Sequence, residues 1–213
     1  MPKQPLIVGN PVLVVVDMQE SGDMPADEMG IAHMPGYKER IEVAEQLIAT
    51  ARTAGIPIVF FQEVHRPSGV DFGRELDGEE GEHCVDGRRG TPLHPRLLPD
   101  FNGANHEFHI VKRRYSGFIG TEFEIVLSGL KADTLILVGG LTNVCVHYTF
   151  ADAHQRDFYV RVVSDCVGGS SVTAHEAALG AMEYLQSGAV RTSDEILAAF
   201  SSLTTPELEG AAR

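Results

Sequence analysis

The chain has 213 residues, with 17 Lys and Arg against 30 Asp and Glu and a formal net charge of −13. That excess of negative charge repels phosphate backbones and anionic lipid, and no basic cluster creates a local exception, so neither nucleic acid nor a membrane is an expected partner. No run reaches the about eighteen apolar residues of a membrane span, and MPKQPLIVGN lacks the apolar length of a signal peptide, so the expectation is a soluble, cytoplasmic protein.

Cys84, Cys145 and Cys166 form neither a disulfide framework nor a paired metal-ligand spacing, which fits a reducing compartment. The length suits one domain over residues 1–213. Pro11 to Val16 is a continuous apolar, β-branched run ending at Asp17, the pattern of a central parallel strand covered on both faces. Tyr37 to Ala54 carries Ile41, Ala44, Leu47, Ile48 and Ala51 at helical spacing, and Gly55 supplies a stop before a strand over Ile56 to Phe61. The segment Arg66 to Asn105 breaks the regularity: it is long, glycine-rich and charged, and loops of that size act as lids or stay disordered. Strand Phe108 to Val111, helix Thr121 to Leu130, strand Thr134 to Val138, helix Val144 to Gln155 and strand Tyr159 to Val163 follow. A helix over Ser171 to Gln186, a short strand near Val190 and a helix from Ser193 to Phe200 complete the series. The alternation predicts a three-layer α/β fold, with a doubly wound, mostly parallel sheet of about six strands between helices.

In such a sheet ligands bind beyond the carboxyl ends of the strands, where residues distant in sequence converge. Asp17 closes the first strand, Lys112 closes the third, and Cys145 lies just past the fourth, within GGLTNVCV at Gly139 to Val146. Singly, each has an ordinary reading: a loop cap, a solvated strand-end charge, a small buried hydrophobe. Together, a carboxylate base, a cation and a thiol are the parts of an activated nucleophile. Free backbone N–H groups and the helix dipole at the strand-to-helix turn would lower the Cys145 pKa and suit an oxyanion.

VVVDMQ at Val14 to Gln19, VKRRYSGFIGTEFE at Val111 to Glu124 and LVGGLTNVCVHYTFADA at Leu137 to Ala153 resemble the three signature segments of the isochorismatase-like cysteine hydrolases. That superfamily includes nicotinamidases, N-carbamoylsarcosine amidase, ureidoacrylate amidohydrolase and biuret hydrolase. The resemblance implies a catalytic triad of Asp17, Lys112 and Cys145, a cis peptide between Gly140 and Leu141, and an oxyanion hole from the backbone N–H groups of Leu141 and Cys145. It further implies hydrolysis of a small linear amide, ureide or carbamoyl C–N bond through a thioester, with ammonia released and no cofactor required. Homodimers and homotetramers are common in the superfamily.

The stretch QEVHRPSGVDFGREL and the later EHCVDG hold Glu63, His65, Asp71 and His83. Nicotinamidases resemble this region, with an Asp-x-His pair, a further His and a His-Cys-Val-x-Gly segment holding a divalent metal. Here Glu63 replaces the Asp and Asp71 stands where the second His would be, a donor set still compatible with a divalent metal. A Glu-x-His-Arg arrangement also occurs in metal-free ureide and biuret hydrolases of the superfamily, where it supports the pocket. Glu63, His65, Tyr115 and Phe118 are the candidate pocket residues, since small planar amides are sandwiched by apolar surface. Arg113 and Arg114 are candidates to complement a substrate carboxylate, and Cys84 is a structural or lid residue. Met18, Met24, Met29 and Met34 make either a pliable pocket wall or an oligomer contact. A metal-dependent nicotinamidase, a vinyl-ether hydrolase that needs the acid but no thiol, and a non-catalytic binding protein on this fold stand as alternatives.

Overall fold

The computed structural model describes residues 5–103 and 106–203. Parallel strands β1 (Asn10–Val16), β2 (Ile58–Glu63), β3 (Glu107–Lys112), β4 (Ala132–Gly140), β5 (Tyr159–Gly168) and β6 (Val190–Arg191) form one sheet in the order β3-β2-β1-β4-β5-β6. The helices are α1 (Ala26–Met29), α2 (Tyr37–Thr53), α3 (Phe123–Leu130), α4 (His147–His154), α5 (Val172–Leu185) and α6 (Ser193–Leu203). Among the described residues, no helix is long and apolar enough to cross a membrane.

Alternation along each strand feeds two apolar layers. Val12, Val14 and Val16 join Phe123 of α3, Phe150 of α4 and Met182 of α5 on one face of the sheet. Leu13 and Val15 join Ile41 and Leu47 of α2 and Phe200 of α6 on the other. Covered on both sides from Val12 to Val16, β1 has no polar position to offer there, which is why that run is unbroken rather than alternating. Each such Val or Leu contributes about 1.5–3 kcal/mol of transfer free energy.

The expected elements are present, with boundaries that shift for physical reasons. Gly55, at φ 66°, ends α2 as expected, its N–H donating to the Arg52 carbonyl at 3.2 Å. Strand β5 runs five residues beyond Val163 to Gly168. The polar pair Ser164 and Asp165 hides this continuation in the sequence, because Asp165 spends its carboxylate on the Ser193 N–H at 2.8 Å and on the Ser193 hydroxyl at 2.5 Å. The extension matters, since it brings Gly168 into register beside Gly140. The segment that starts at Arg66 is folded rather than disordered over its described part; residues 104 and 105 lie outside the described residues. Phe72, Val85, Leu93 and Leu97 bury themselves, and bridges from His65 to Val85 and from Gln19 to Leu93 fasten the segment to the carboxyl ends of β1 and β2.

The strand order reverses between β1 and β4. A crevice opens at that point in sheets of this kind, beyond the carboxyl ends of the strands.

Candidate active site

Three separate elements bring Asp17, Lys112 and Cys145 together. Asp17 follows β1 with its backbone at φ 49°, a left-handed conformation that aspartate accepts more readily than most residues, and its N–H donates to the Phe61 carbonyl at 3.2 Å. Lys112 ends β3, two strands away, or about 9–10 Å at ordinary strand spacing, so a long side chain is needed to close the gap. Its Nζ lies 2.7 Å from Asp17 Oδ2 and 3.3 Å from Cys145 Sγ. Glu63, the register partner of Lys112 on the intervening strand, completes the group: Oε1 is 3.4 Å from Lys112 Nζ, and Oε2 is 4.0 Å from Cys145 Sγ. Lys112, Glu63 and Cys145 are all buried.

Cys145 owes its position to the end of β4. Gly139, at φ 110°, passes so close to β1 that a Cβ there would lie 2.0 Å from the Val16 carbonyl oxygen. The Gly140–Leu141 peptide is cis. Thr142–Val146 then form a single π turn that leads into α4, and the Leu141 carbonyl accepts from the N–H groups of Val144 at 3.0 Å and Val146 at 3.1 Å. Leu141 and Cys145, whose N–H groups are the expected oxyanion donors, both line the cavity that Asp17 and Glu63 also border.

Burial raises the Asp17 carboxyl to about 6; Lys112 opposes the rise and Glu63 adds to it. Glu63 is buried as well, yet Lys112, His65 and His83 outweigh desolvation and hold it at about 2. Burial also pushes the Cys145 thiol well above its ordinary value, with Lys112 offsetting only part of the rise. The expectation of a lowered thiol pKa is therefore corrected. Cys145 sits inside a π turn among buried carboxylates, not at the open N-terminus of an α-helix. Lys112 stays firmly protonated, since Asp17, Cys145 and Glu63 prevail over its burial. The resting centre is a neutral thiol beside an ammonium, next to a carboxylate tuned to exchange a proton near neutrality.

Residues 11–195 match the isochorismatase domain family. The chain belongs to the isochorismatase family. Ureidoacrylate amidohydrolase RutB of Methylorubrum extorquens is 31% identical over 199 residues, covering 84% of this chain and 74% of that protein. An isochorismatase-like hydrolase from Alkaliphilus metalliredigens aligns with a TM-score of 0.74 at 27% identity, over 90% of this chain and 100% of the other. N-carbamoylsarcosine amidase from Thermoplasma acidophilum aligns at 0.69 and 26%, over 87% and 98% respectively.

Behind Asp17, Lys112 and Cys145, this isochorismatase-family chain holds a second cluster. His65 is fully buried and stacks on Phe72 at 4.0 Å; its Nε2 is 3.2 Å from Glu75 Oε2 and 3.6 Å from Glu63 Oε1. His83 Nε2 is 3.8 Å from Glu63 Oε2. Glu63, His65, Glu75 and His83 each present one donor atom, all within 4.8 Å of one another, and neither His65 nitrogen nor either Glu75 oxygen makes a well-formed hydrogen bond. Two nitrogens and two oxygens so placed fit a divalent ion. Without one, burial would lower His65, but Glu63 and Glu75 raise it to about 9, and its imidazolium offsets part of their charge. Asp71, the fourth expected ligand, is not in this set. Its carboxylate accepts from the Arg66 backbone N–H and guanidinium, each at 3.0 Å, and pairs with Arg113 at 3.3 Å; Glu75 occupies the place given to it.

The cavity beside Cys145 measures about 70 Å³, room for about five to seven waters, so its ligand is small. Tyr115, Glu63 and His83 line it, and the Tyr115 hydroxyl donates to Glu80 Oε2 at 3.0 Å. Two expected pocket residues lie elsewhere. His65 stands behind Glu63, and Phe118 packs in the core against Phe123, ring centroids 4.8 Å apart, with Arg156 4.7 Å above its ring. Arg113 and Arg114 are tied to the neighbouring loop: Arg113 donates to the Val64 carbonyl, and Arg114 donates to the Asp71 carbonyl at 2.6 Å. Met18 and Met29 border the cavity, whereas Met24 and Met34 do not. Cys84 borders it too, its thiol raised well above the ordinary value by burial.

Four residues near the site escaped sequence reasoning. Gln19 pins Glu63 by accepting its N–H at 3.1 Å and donating to its carbonyl at 3.1 Å; its signal was a polar residue at a strand end within VVVDMQ. Arg40 carried a signal as well, a charge on the same helical stripe as Ala44, Leu47 and Ala51. Glu75 and Glu80 come from an irregular segment in which no periodicity marks one acid above another.

Proposed function

We propose that this chain hydrolyses a small linear amide, ureide or carbamoyl C–N bond through a thioester on Cys145, releasing ammonia. The coarser class, an amidohydrolase acting on amide or ureide C–N bonds, follows from its family and its relatives. The finer reading rests on one observation: Lys112 Nζ stands within 3.3 Å of Cys145 Sγ and 2.7 Å of Asp17 Oδ2 inside a buried cavity.

Asp17 accepts the thiol proton as Sγ bonds to the substrate carbonyl carbon, and the Lys112 ammonium stabilises the sulfur as its charge develops. The carbonyl oxygen becomes an oxyanion, for which the N–H groups of Leu141 and Cys145 are the donors; one such donor is typically worth about 3–4 kcal/mol. The C–N bond then breaks as protonated Asp17 passes its proton to the departing nitrogen, leaving ammonia and a thioester. Water gives a proton to Asp17 and its oxygen to the thioester carbon, the C–S bond breaks, and the proton returns to sulfur. Glu63, already ionised, keeps Lys112 in place and takes no proton in this cycle. Glu63, His65, Glu75 and His83 would hold a divalent ion, which would supply Lewis-acid chemistry when bound, but the cycle set out here requires no cofactor.

The test is an ammonia-release screen over ureidoacrylate, N-carbamoyl amino acids, biuret, maleamate and nicotinamide. Mass spectrometry of acid-quenched reactions with the best substrate accompanies it. An acyl adduct on the Cys145 peptide, absent from Cys145→Ala, is expected; turnover by Cys145→Ala at the wild-type rate rules out the thiol route.

A further inference from the structure

An α-helix entered from Leu141 would give the Leu141 carbonyl to the Cys145 N–H, four residues on. Here that carbonyl accepts from Val144 and Val146 instead and passes over Cys145. The π turn is thus the device that keeps the Cys145 N–H off its nearest backbone acceptor, at the place where an oxyanion needs a donor. Something outside the turn has to hold it, since an isolated π turn is rare compared with the α-helix into which it leads.

Two side chains of the turn are tied to the first turn of α5 and the residues that lead into it. Thr142 is fully buried, and its Oγ1 lies 2.9 Å from His175 Nδ1, its one hydrogen-bond partner among the described residues. Asn143 makes a reciprocal pair with Ser170: Oδ1 accepts the Ser170 N–H at 2.9 Å, and Nδ2 donates to the Ser170 hydroxyl at 3.0 Å. Gly169 permits this approach, because a Cβ there would lie 2.9 Å from Asn143 Oδ1 and 3.0 Å from His175 Cβ. Burial, aided by Arg40 and opposed by Glu176, holds the His175 imidazole below its ordinary value, so the ring is neutral near neutrality and offers Nδ1 as an acceptor for the buried hydroxyl. A hydroxyl so placed is costly unless it is bonded, whereas a valine would fill the space without that demand. The pair therefore specifies where the turn sits more than it adds to the core. Neither Thr142 nor His175 borders the cavity that holds Cys145, so both act through the backbone of the turn.

We infer that His175 is a positioning residue for the proposed reaction: bonded to Thr142, it holds residues 141–146 in the π turn and so keeps the Cys145 N–H available to the oxyanion. Without that bond the turn can close to an α-helix, in which the Leu141 carbonyl takes the Cys145 N–H and one of the two expected donors is lost. This inference rests on the proposed amidase reading, and extends it to a residue that touches neither the substrate nor the thiol.

The test uses His175→Leu, Thr142→Val, the double variant, and His175→Asn, which returns a polar group near the position of Nδ1. With the best substrate of the ammonia-release screen, each apolar variant is expected to lower kcat by on the order of 10- to 100-fold while KM stays within about twofold of wild type. His175→Asn is expected to recover most of the loss, and the double variant to be no slower than the slower single one, because both changes break the same bond. An unchanged kcat in either folded apolar variant, or a double loss equal to the product of the single losses, overturns the inference. A second readout needs no turnover. Acetaldehyde adds to a thiol as Sγ bonds to the aldehyde carbon and the thiol proton passes to the oxygen, which then occupies the oxyanion position. Its dissociation constant, read by NMR with isotope-labelled acetaldehyde, is expected to rise by on the order of 10-fold or more in the apolar variants. If nothing in the screen is turned over but the Cys145 adduct forms and weakens in this way, the positioning role stands and the amidase reading fails. No adduct in the wild type, or equal affinity in the wild type and the apolar variants, overturns the positioning role. Should His175→Leu not fold, Thr142→Val, which keeps the buried shape, carries both measurements.

Discussion

Lys112 is the residue on which the proposed chemistry of this site turns, because among the described residues it alone touches the thiol, the proposed base and Glu63. Asp17 acts as a base only when ionised, so kcat/KM should fall as pH drops through about 6 and reach a plateau above it. Lys112 pulls the Asp17 carboxyl down, so Lys112→Met should leave on the order of 10⁻² of the activity or less, with the acid limb of that residue moved upward; a limb that stays at the wild-type position would show that Lys112 does not set the base. Linkage gives the same groups opposite effects on stability. Asp17, raised from 3.8, favours the fold at acid pH, and that contribution is lost as pH rises through about 6. Glu63, lowered from 4.5, favours the fold above that value, and its contribution is lost as pH falls toward about 2. The identities of Asp17, Lys112 and Cys145 were readable because each ends or follows an apolar strand run and lies in a recognisable segment. Their protonation states were not, because burial among neighbouring carboxylates reverses the shift that the strand-to-helix turn alone would give the thiol.

At the level of elements, the end of β4 is the most constrained stretch. Gly139→Ala would place a methyl carbon 2.0 Å from the Val16 carbonyl and strain a backbone at φ 110°, and neither neighbour is a side chain that can swing away. We expect a loss of about 3 kcal/mol or more, or failure to fold, measured by urea denaturation; a Tm within a degree or two of wild type would mean that β1 and β4 can separate there. The strands were legible wherever apolar residues ran unbroken. They were illegible where a polar residue is satisfied by tertiary contact, as at Asp165 with Ser193, or where a helix begins through a π turn instead of a capped first turn. Phe118 illustrates the same limit. An aromatic just past a strand end reads equally well as pocket wall or core, and only packing against Phe123 and Phe158 decides for the core.

Across the whole molecule, the sheet assembles two charged clusters that share Glu63: the one around Cys145, and the one with His65, Glu75 and His83. His65 lies at ion-pair distance from Glu63, Glu75 and Asp71, and its imidazolium, with Lys112 on Glu63 and Arg66 and Arg113 on Asp71, supplies protein countercharge to that region. Dialysis against a chelator should therefore leave kcat/KM within about twofold of the untreated enzyme, with less than one equivalent of zinc, manganese or iron by elemental analysis. A chelator-induced loss restored by one ion would assign the cluster to a metal.

The order of strands and helices, the three strand-end residues and the family were settled by the linear chain, because buried parallel strands and their flanking segments write a local, repeating pattern into the residues. Which acid joins His65, which arginine faces the cavity and how the thiol titrates were settled only by the folded molecule. Those properties arise from distances between residues far apart in the chain and from exclusion of water around them, and neither leaves a mark on local sequence.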